Sequence, residues 1–201
     1  MSDMRRDDII WTVVVTLIAV TINPILKSIG LLPADVFRSL GIFYPGLPQI
    51  VFGPLMAFLL TLLFLKTGKP MVFPVIGFLR ALALSFVFPA NLEHSGTLLA
   101  ALVAGGVAAM LLNNAAQARS GMWLPALAGL YAGLYAASNY LTTFVFGPAA
   151  QNAVILASPS KAVGVVIGSF VLGTVLGLLA CRLMRRLQAS AVAPLAPRFG
   201  V

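Results

Sequence analysis

The amino-acid sequence predicts an all-α fold: one integral membrane bundle of six transmembrane helices. Of its 201 residues, 60% are hydrophobic and only 9% are charged, whereas a soluble domain carries about 25% charged residues. A soluble fold still needs a polar exterior, and this chain has too few polar residues to build one. No polar stretch is long enough for a second domain, so residues 1–201 are predicted to form a single transmembrane domain.

The apolar residues fall into six stretches, each close to the ~20 residues that cross a hydrocarbon core. The predicted spans cover residues 8–26, 49–65, 70–89, 96–112, 123–146 and 159–184, and a basic cytoplasmic tail follows at 185–201. Only a short segment separates the second span from the third. We interpret it as a tight helical hairpin in which Gly68 ends one helix and Pro70 starts the next.

The first outer loop, Lys27–Pro48, mixes apolar residues with three prolines and with the charged residues Asp35 and Arg38. This composition predicts a short amphipathic helix. The helix would lie in the membrane interface or fold over the bundle as a lid.

The basic residues orient the predicted bundle. With the N-terminus inside, nine basic residues lie in inner segments, namely Arg5, Arg6, Lys66, Lys69, Arg119, Arg182, Arg185, Arg186 and Arg198. Three lie in outer segments, namely Lys27, Arg38 and Lys161. This is the direction of the positive-inside rule. It predicts a multi-pass protein of the cell (inner or plasma) membrane with both termini in the cytoplasm. Topology thus accounts for the net charge of +8, and no nucleic-acid partner is expected.

Groups that could perform catalysis are scarce. His94 is the only histidine, and its neighbour Glu93 is the only carboxylate after Asp35. The sequence has no Walker motif, no Gly-x-Ser-x-Gly elbow and too few ligands for a usual metal site. We therefore predict no enzyme activity, no metal and no cofactor. A lipid-directed membrane enzyme with His94 as its base stays as a third hypothesis.

A few polar residues within or beside the predicted spans are candidates for binding a ligand. Arg80 lies near the middle of the third span, where a charge costs about 3 kcal/mol or more unless it faces a cavity or a partner. The predicted topology gathers such residues toward the outer side, where they would suit a pocket. The predicted substrate-binding residues are Arg80, Asn91, Glu93, His94, Tyr135, Asn139, Tyr140 and Asn152.

In that pocket, Arg80 and His94 would meet an anionic or polar group of the ligand, and the tyrosines would stack on a ring. Each residue also has a structural interpretation. Arg80 could bind a helix-end carbonyl or a lipid phosphate, the tyrosines could be core or interface anchors, and Glu93 with His94 could be solvated loop residues.

Small residues recur at helical spacing in the last two spans. They are Ala128, Ala132 and Ala136, Gly129 and Gly133, Gly164 and Gly168, and Gly173 and Gly177. Such patterns let helix backbones approach closely. They predict tight packing inside the bundle, with a docking surface for a partner membrane protein as the alternative.

The layout resembles the substrate-binding S components of energy-coupling factor (ECF) vitamin transporters, and is most similar to the YkoE-like branch associated with thiamin precursors. The resemblance rests on the length, the six spans, the basic residues Arg182, Arg185 and Arg186, the hairpin at 64–70 and the short polar turn at 89–93. In one respect the chain departs from the pattern. Many S components dock through Ala-x-x-x-Ala in the first helix, where only Thr12 and Thr16 approximate it here.

The resemblance implies a vitamin-sized ligand near the outer face, and docking onto a transmembrane coupling subunit driven by two cytoplasmic ATPases. Together with the residues, it predicts a non-catalytic, substrate-capturing membrane subunit for uptake of a small vitamin-like molecule. The expected partners are this substrate, membrane lipids, the coupling subunit and the ATPases. A structural or accessory subunit of a larger membrane protein complex is the alternative.

Overall fold

The computed structural model describes residues 6–29, 36–37, 39–41, 44–87, 93–114 and 123–192. These residues form seven helices and no strand, so the all-α prediction is confirmed. The helices are α1 (Arg6–Ser28), α2 (Gln49–Thr67), α3 (Val72–Val87), α4 (Glu93–Asn114), α5 (Trp123–Phe146), α6 (Ala149–Ala157) and α7 (Pro159–Val192).

The hairpin between α2 and α3 follows from its glycine. Gly68 has φ 68° and ψ 11°, and its N–H donates to the Phe64 carbonyl oxygen at 2.7 Å. Glycine adopts this left-handed conformation without the steric cost that a Cβ imposes, and therefore ends helices well. The predicted turn is confirmed, although α3 begins two residues after Pro70, at Val72.

Three features of the helices differ from the prediction. A short helix, α6, lies in the predicted outer loop, because Pro148 and Pro159 bracket a segment of good helix formers. Glu93 and His94, predicted to be loop residues, lie in the first turn of α4. The third difference is the length of α7, whose 34 residues extend for about 50 Å. Arg185 and Arg186 therefore lie on a helix and not in a tail.

The predicted interfacial helix falls mostly outside the described residues, as do Asp35 and Arg38. Of the loop's centre, Val36, Phe37 and Ser39–Gly41 are described. The Leu40 N–H donates to the Val36 carbonyl oxygen at 3.1 Å, which is the bond of a helical turn.

Helix α5 lies at the centre of the bundle and contacts α2, α4, α6 and α7. The α3 helix packs on α4 and α1, and α1 also contacts α2. The main core includes Met56, Leu60, Phe73, Ile76 and Tyr131. A smaller apolar cluster lies beside it and consists of Tyr44, Ala136, Tyr140, Ile155 and Val165. Polar groups carried by α5 can therefore reach α2, α4 and α7.

The small residues of α5 and α7 pack against one another, as predicted. A Cβ placed on Gly173 would lie 2.6 Å from the Ala132 Cβ and 2.9 Å from the Ala128 carbonyl oxygen. At Gly129 it would meet the Phe170 carbonyl oxygen at 2.7 Å. The prediction is wrong for Gly164, because no heavy atom lies within 4 Å of that Cβ position.

Within the described residues, two helical segments are long and apolar enough to cross a membrane, Gln49–Thr67 and Pro159–Leu187. Shorter apolar segments occur at Ile9–Ile22 and Leu102–Leu112. Much of α7 faces outward, and its exposed apolar side chains include Val163, Ile167, Val171 and Val175. Large exposed apolar surfaces indicate contact with a membrane or a partner. By length and composition, these two segments favour membrane association.

Candidate binding site

Two of the predicted site residues meet inside the bundle. Arg80, in the middle of α3, is only 2% exposed, and its Nη1 donates to the Tyr135 hydroxyl oxygen at 2.9 Å. Desolvating a cation costs several kcal/mol unless neighbouring groups compensate. The structure therefore gives Arg80 an interior position that needs polar or aromatic neighbours.

Two aromatic rings lie close to the guanidinium. Its Cζ lies 5.6 Å from the centre of the Phe52 ring and 5.9 Å from that of Tyr135, within the range of a cation–π interaction. Tyr131 stacks on Tyr135 with centroids 6.3 Å apart, and Phe73 lies 5.7 Å from Tyr131. We call Arg80, Phe52, Phe73, Tyr131 and Tyr135 the Arg80 cluster.

The Arg80 cluster contains a buried hydroxyl on Tyr131. The Tyr131 side chain is 1% exposed, and its hydroxyl is buried with no hydrogen-bond partner. Leaving such a group unpaired costs about 1–3 kcal/mol. A buried hydroxyl without a hydrogen-bond partner thus lies in the same cluster as a buried cation.

The helices position the cluster through sequence spacing. Tyr131 and Tyr135 are four residues apart and therefore share one face of α5. Gly53 on α2 lets that helix approach α5, since a Cβ there would lie 3.2 Å from the Ala132 carbonyl oxygen. The adjacent Phe52 thereby reaches the guanidinium of Arg80.

Tyr140, which was predicted to line the same pocket, does not join this cluster. Five residues separate Tyr140 from Tyr135, which turns its side chain by about 140° and moves it about 7.5 Å along the helix. Its hydroxyl donates to the Pro45 carbonyl oxygen at 2.9 Å, and its ring lies 6.4 Å from that of Tyr44. Tyr140 thus fastens the first loop to α5.

Beside Tyr44 is a groove of about 500 Å³. The residues lining it, which we call the Tyr44 groove, are Gly41, Tyr44, Leu47, Ile50, Lys161, Gly164 and Val165. The Lys161 ammonium lies 5.8 Å from the centre of the Tyr44 ring. This second site combines one cation with mostly apolar walls.

The Tyr44 hydroxyl donates to the Ser158 carbonyl oxygen at 3.0 Å. Burial raises its pKa, and a backbone hydrogen bond from Ala162 only partly opposes this shift. The folded protein thus holds the proton more tightly than the unfolded chain, whose tyrosine pKa is about 10. The contribution of the Tyr44 hydroxyl to folding stability is therefore fully present below pH ~10 and is lost as the pH rises through the folded-state pKa.

We therefore expect the stability difference between the unmodified protein and Tyr44→Phe to be constant from pH 7 to 9 and to shrink above pH ~10. Thermal unfolding of both proteins at intervals up to pH 11 measures this difference. A difference that stays constant to pH 11 would show that Tyr44 ionises alike in both states.

The other predicted site residues lie apart from the Arg80 cluster or outside the described part. Asn152, on α6, donates from Nδ2 to the Phe144 carbonyl oxygen at 3.2 Å and therefore fixes the end of α5. Asn139 is partly buried one turn beyond Tyr135. Glu93 and His94 are described only as helix backbone, and Asn91 falls outside the described residues.

No protein-family model, no curated protein and no solved structure matches this chain. What the sites can bind is therefore inferred from their own residues.

The aromatic and charged residues of the two sites that were absent from the predicted set are Phe52, Phe73, Tyr131, Tyr44 and Lys161. Phe52 and Phe73 stand in apolar runs among many similar residues, so nothing in the sequence distinguishes them. Tyr44 had a signal, since it is an aromatic residue followed by Pro45 and Gly46 in a loop. Gly46 has φ 80° and lies against the Tyr140 ring, where a Cβ would be 2.6 Å from the ring's Cζ.

Proposed function

We propose that the chain is a non-catalytic membrane subunit that captures a small vitamin-like molecule for uptake. The observation that carries this proposal is Arg80, a cation buried in the bundle beside the unpartnered hydroxyl of Tyr131. The ligand would bring an anionic or polar group to Arg80 and a ring to the aromatic side chains of the cluster. An arginine fork suits a carboxylate or a phosphate.

The proposal places the protein in the cell (inner or plasma) membrane as a six-span bundle with both termini inside. Six of the helices have 16 residues or more, namely α1 to α5 and α7. The nine-to-three distribution of basic residues supports the orientation. In that placement Arg80 lies deep in the bilayer, where an ionisable residue marks a functional site by default.

Uptake needs partners in this proposal. The sequence carries no nucleotide-binding motif, so energy would come from cytoplasmic ATPases acting through a transmembrane coupling subunit, as in the ECF transporters that the layout resembles. The outward-facing apolar surface of α7 offers such a subunit, or the lipid, a large contact area.

Membrane topology is tested by single-cysteine labelling, for which Cys181, the chain's only cysteine, is first replaced by alanine. A membrane-impermeant maleimide should label Lys161→Cys in intact cells, and it should label Lys66→Cys only after lysis. Labelling of both positions in intact cells would contradict the six-span orientation.

The capture role is tested by mass spectrometry of small molecules that copurify with the chain, and by thermal shift against water-soluble vitamins and their precursors. A ligand at 100 times its Kd should stabilise the fold by about 2.7 kcal/mol. If nothing copurifies and no compound shifts the unfolding temperature, the capture role is wrong. Recovery of an intact partner complex without ligand would then favour the accessory-subunit alternative.

A further inference from the structure

We infer that the Tyr44 groove binds one anionic phospholipid, with the lipid phosphate on Lys161. This site is distinct from the Arg80 cluster. The inference rests on the membrane placement proposed above, but not on the capture of a vitamin-like substrate.

Charge points to an anionic occupant. Among the described residues that line the groove, Lys161 is the only charged one and none is a carboxylate. Its ammonium lies over the Tyr44 ring, which holds the cation at the groove wall. A phosphate bound there would add the ion pair that the lining itself does not supply.

Neither helix stability nor topology explains a lysine at this position. Lys161 lies in the first turn of α7, where the helix dipole disfavours a cation. In the proposed orientation it is also an outer lysine, and the positive-inside rule disfavours basic residues on that side. An anion in the groove would offset both effects.

The rest of the groove suits an acyl chain. Leu47, Ile50 and Val165 form apolar walls. Gly164 leaves the groove unfilled, because no heavy atom lies within 4 Å of where its Cβ would be. A phosphate group beside apolar walls suits a phospholipid better than a free phosphate, which would leave these walls uncovered.

The experiment uses native mass spectrometry of the full-length protein in mixed micelles of phosphatidylglycerol and phosphatidylcholine. We expect at least one tightly retained phosphatidylglycerol. Lys161→Gln should weaken the tightest site about fivefold, the change given by about 1 kcal/mol per lysine near an anionic lipid. Gly164→Leu should also weaken this site, because its side chain would occupy the groove. Lys161→Arg keeps the charge and should therefore bind phosphatidylglycerol within about twofold of the unmodified protein.

Two variants serve as matched controls. Lys66→Gln removes a basic residue at the end of α2, away from the groove lining. Gly106→Leu adds a side chain where nothing lies within 4 Å of the Cβ position. Both should retain the tightest phosphatidylglycerol within about twofold of the unmodified protein, because neither changes the charge or the volume of the groove.

Equal retention of phosphatidylcholine, or unchanged binding in Lys161→Gln, would overturn the inference. Displacement of the lipid by millimolar glycerol 3-phosphate would also overturn it and assign the groove to a soluble phosphate. Because cysteine labelling tests the membrane placement separately, loss of lipid preference with intact topology would discard only the groove assignment.

Discussion

On the proposed capture role, the Arg80→Met variant should keep its fold and lose ligand binding. Methionine is apolar and of similar length, and it removes the several kcal/mol that desolvating a buried cation costs. The Tyr135 hydroxyl would lose one donor, which costs about 1 kcal/mol. We therefore expect little net change in the free energy of unfolding of the unliganded protein.

Binding should respond quite differently, because an anionic group on the ligand would lose its buried counter-charge. Removing one partner of such a pair costs about 2–5 kcal/mol, which corresponds to at least a ~30-fold loss of affinity. Thermal unfolding in detergent measures the first effect. The amount of copurified small molecule per protein measures the second.

Tyr135→Phe is the matched control, since it keeps the cation and the ring and removes only the acceptor of the hydrogen bond from Arg80 Nη1. In this variant we expect the free energy of unfolding to fall by about 1–3 kcal/mol. Ligand binding should change less than in Arg80→Met. If Arg80 only stabilises the fold and binds no ligand, both variants will unfold at lower temperature and Arg80→Met will retain the ligand. That pattern would contradict the proposed role.

The sequence predicts the helices well where the controlling signals are local. The lengths of the apolar runs, and the proline and glycine residues between them, place α2, α5 and the Gly68 turn within two residues of their observed bounds. The nine-residue α6 has no comparable signal, because one short apolar segment between Pro148 and Pro159 fits a loop or a helix equally well. Local patterns thus limit the prediction of short elements.

The site is only partly predictable for a geometric reason. Arg80 stands out because a charge in an apolar run is costly, and Tyr135 because it recurs with Tyr131 at helical spacing. Tyr140 is also a tyrosine of α5, but its side chain points to another side of the helix, where it contacts Tyr44. The partner of a side chain depends on how loops and helices pack, and single-chain spacing does not contain that information.

Gly105→Ala should destabilise the bundle, whereas the adjacent Gly106→Ala should not. A Cβ on Gly105 would lie 2.6 Å from the Pro74 Cα and 2.8 Å from the Pro74 nitrogen, and 3.0 Å from the Phe73 carbonyl carbon. These are backbone atoms, so no rotamer change can relieve the contact, and α4 must move away from α3. Overpacking of this kind costs about 1–3 kcal/mol.

The Cβ of Gly106→Ala would have no heavy atom within 4 Å. Since alanine is a better helix former than glycine by up to ~1 kcal/mol, this variant should unfold at an equal or higher temperature. Unfolding of both variants in the same detergent micelles measures the contrast. Equal stabilities would mean that α3 and α4 are not in backbone contact at Pro74.

The contact between α3 and α4 at Pro74 also matters for the binding site, because Phe73 touches Tyr131 and Arg80 follows Pro74 by about 9 Å of helix. Gly105→Ala should therefore weaken ligand retention as well, while Gly106→Ala leaves it intact.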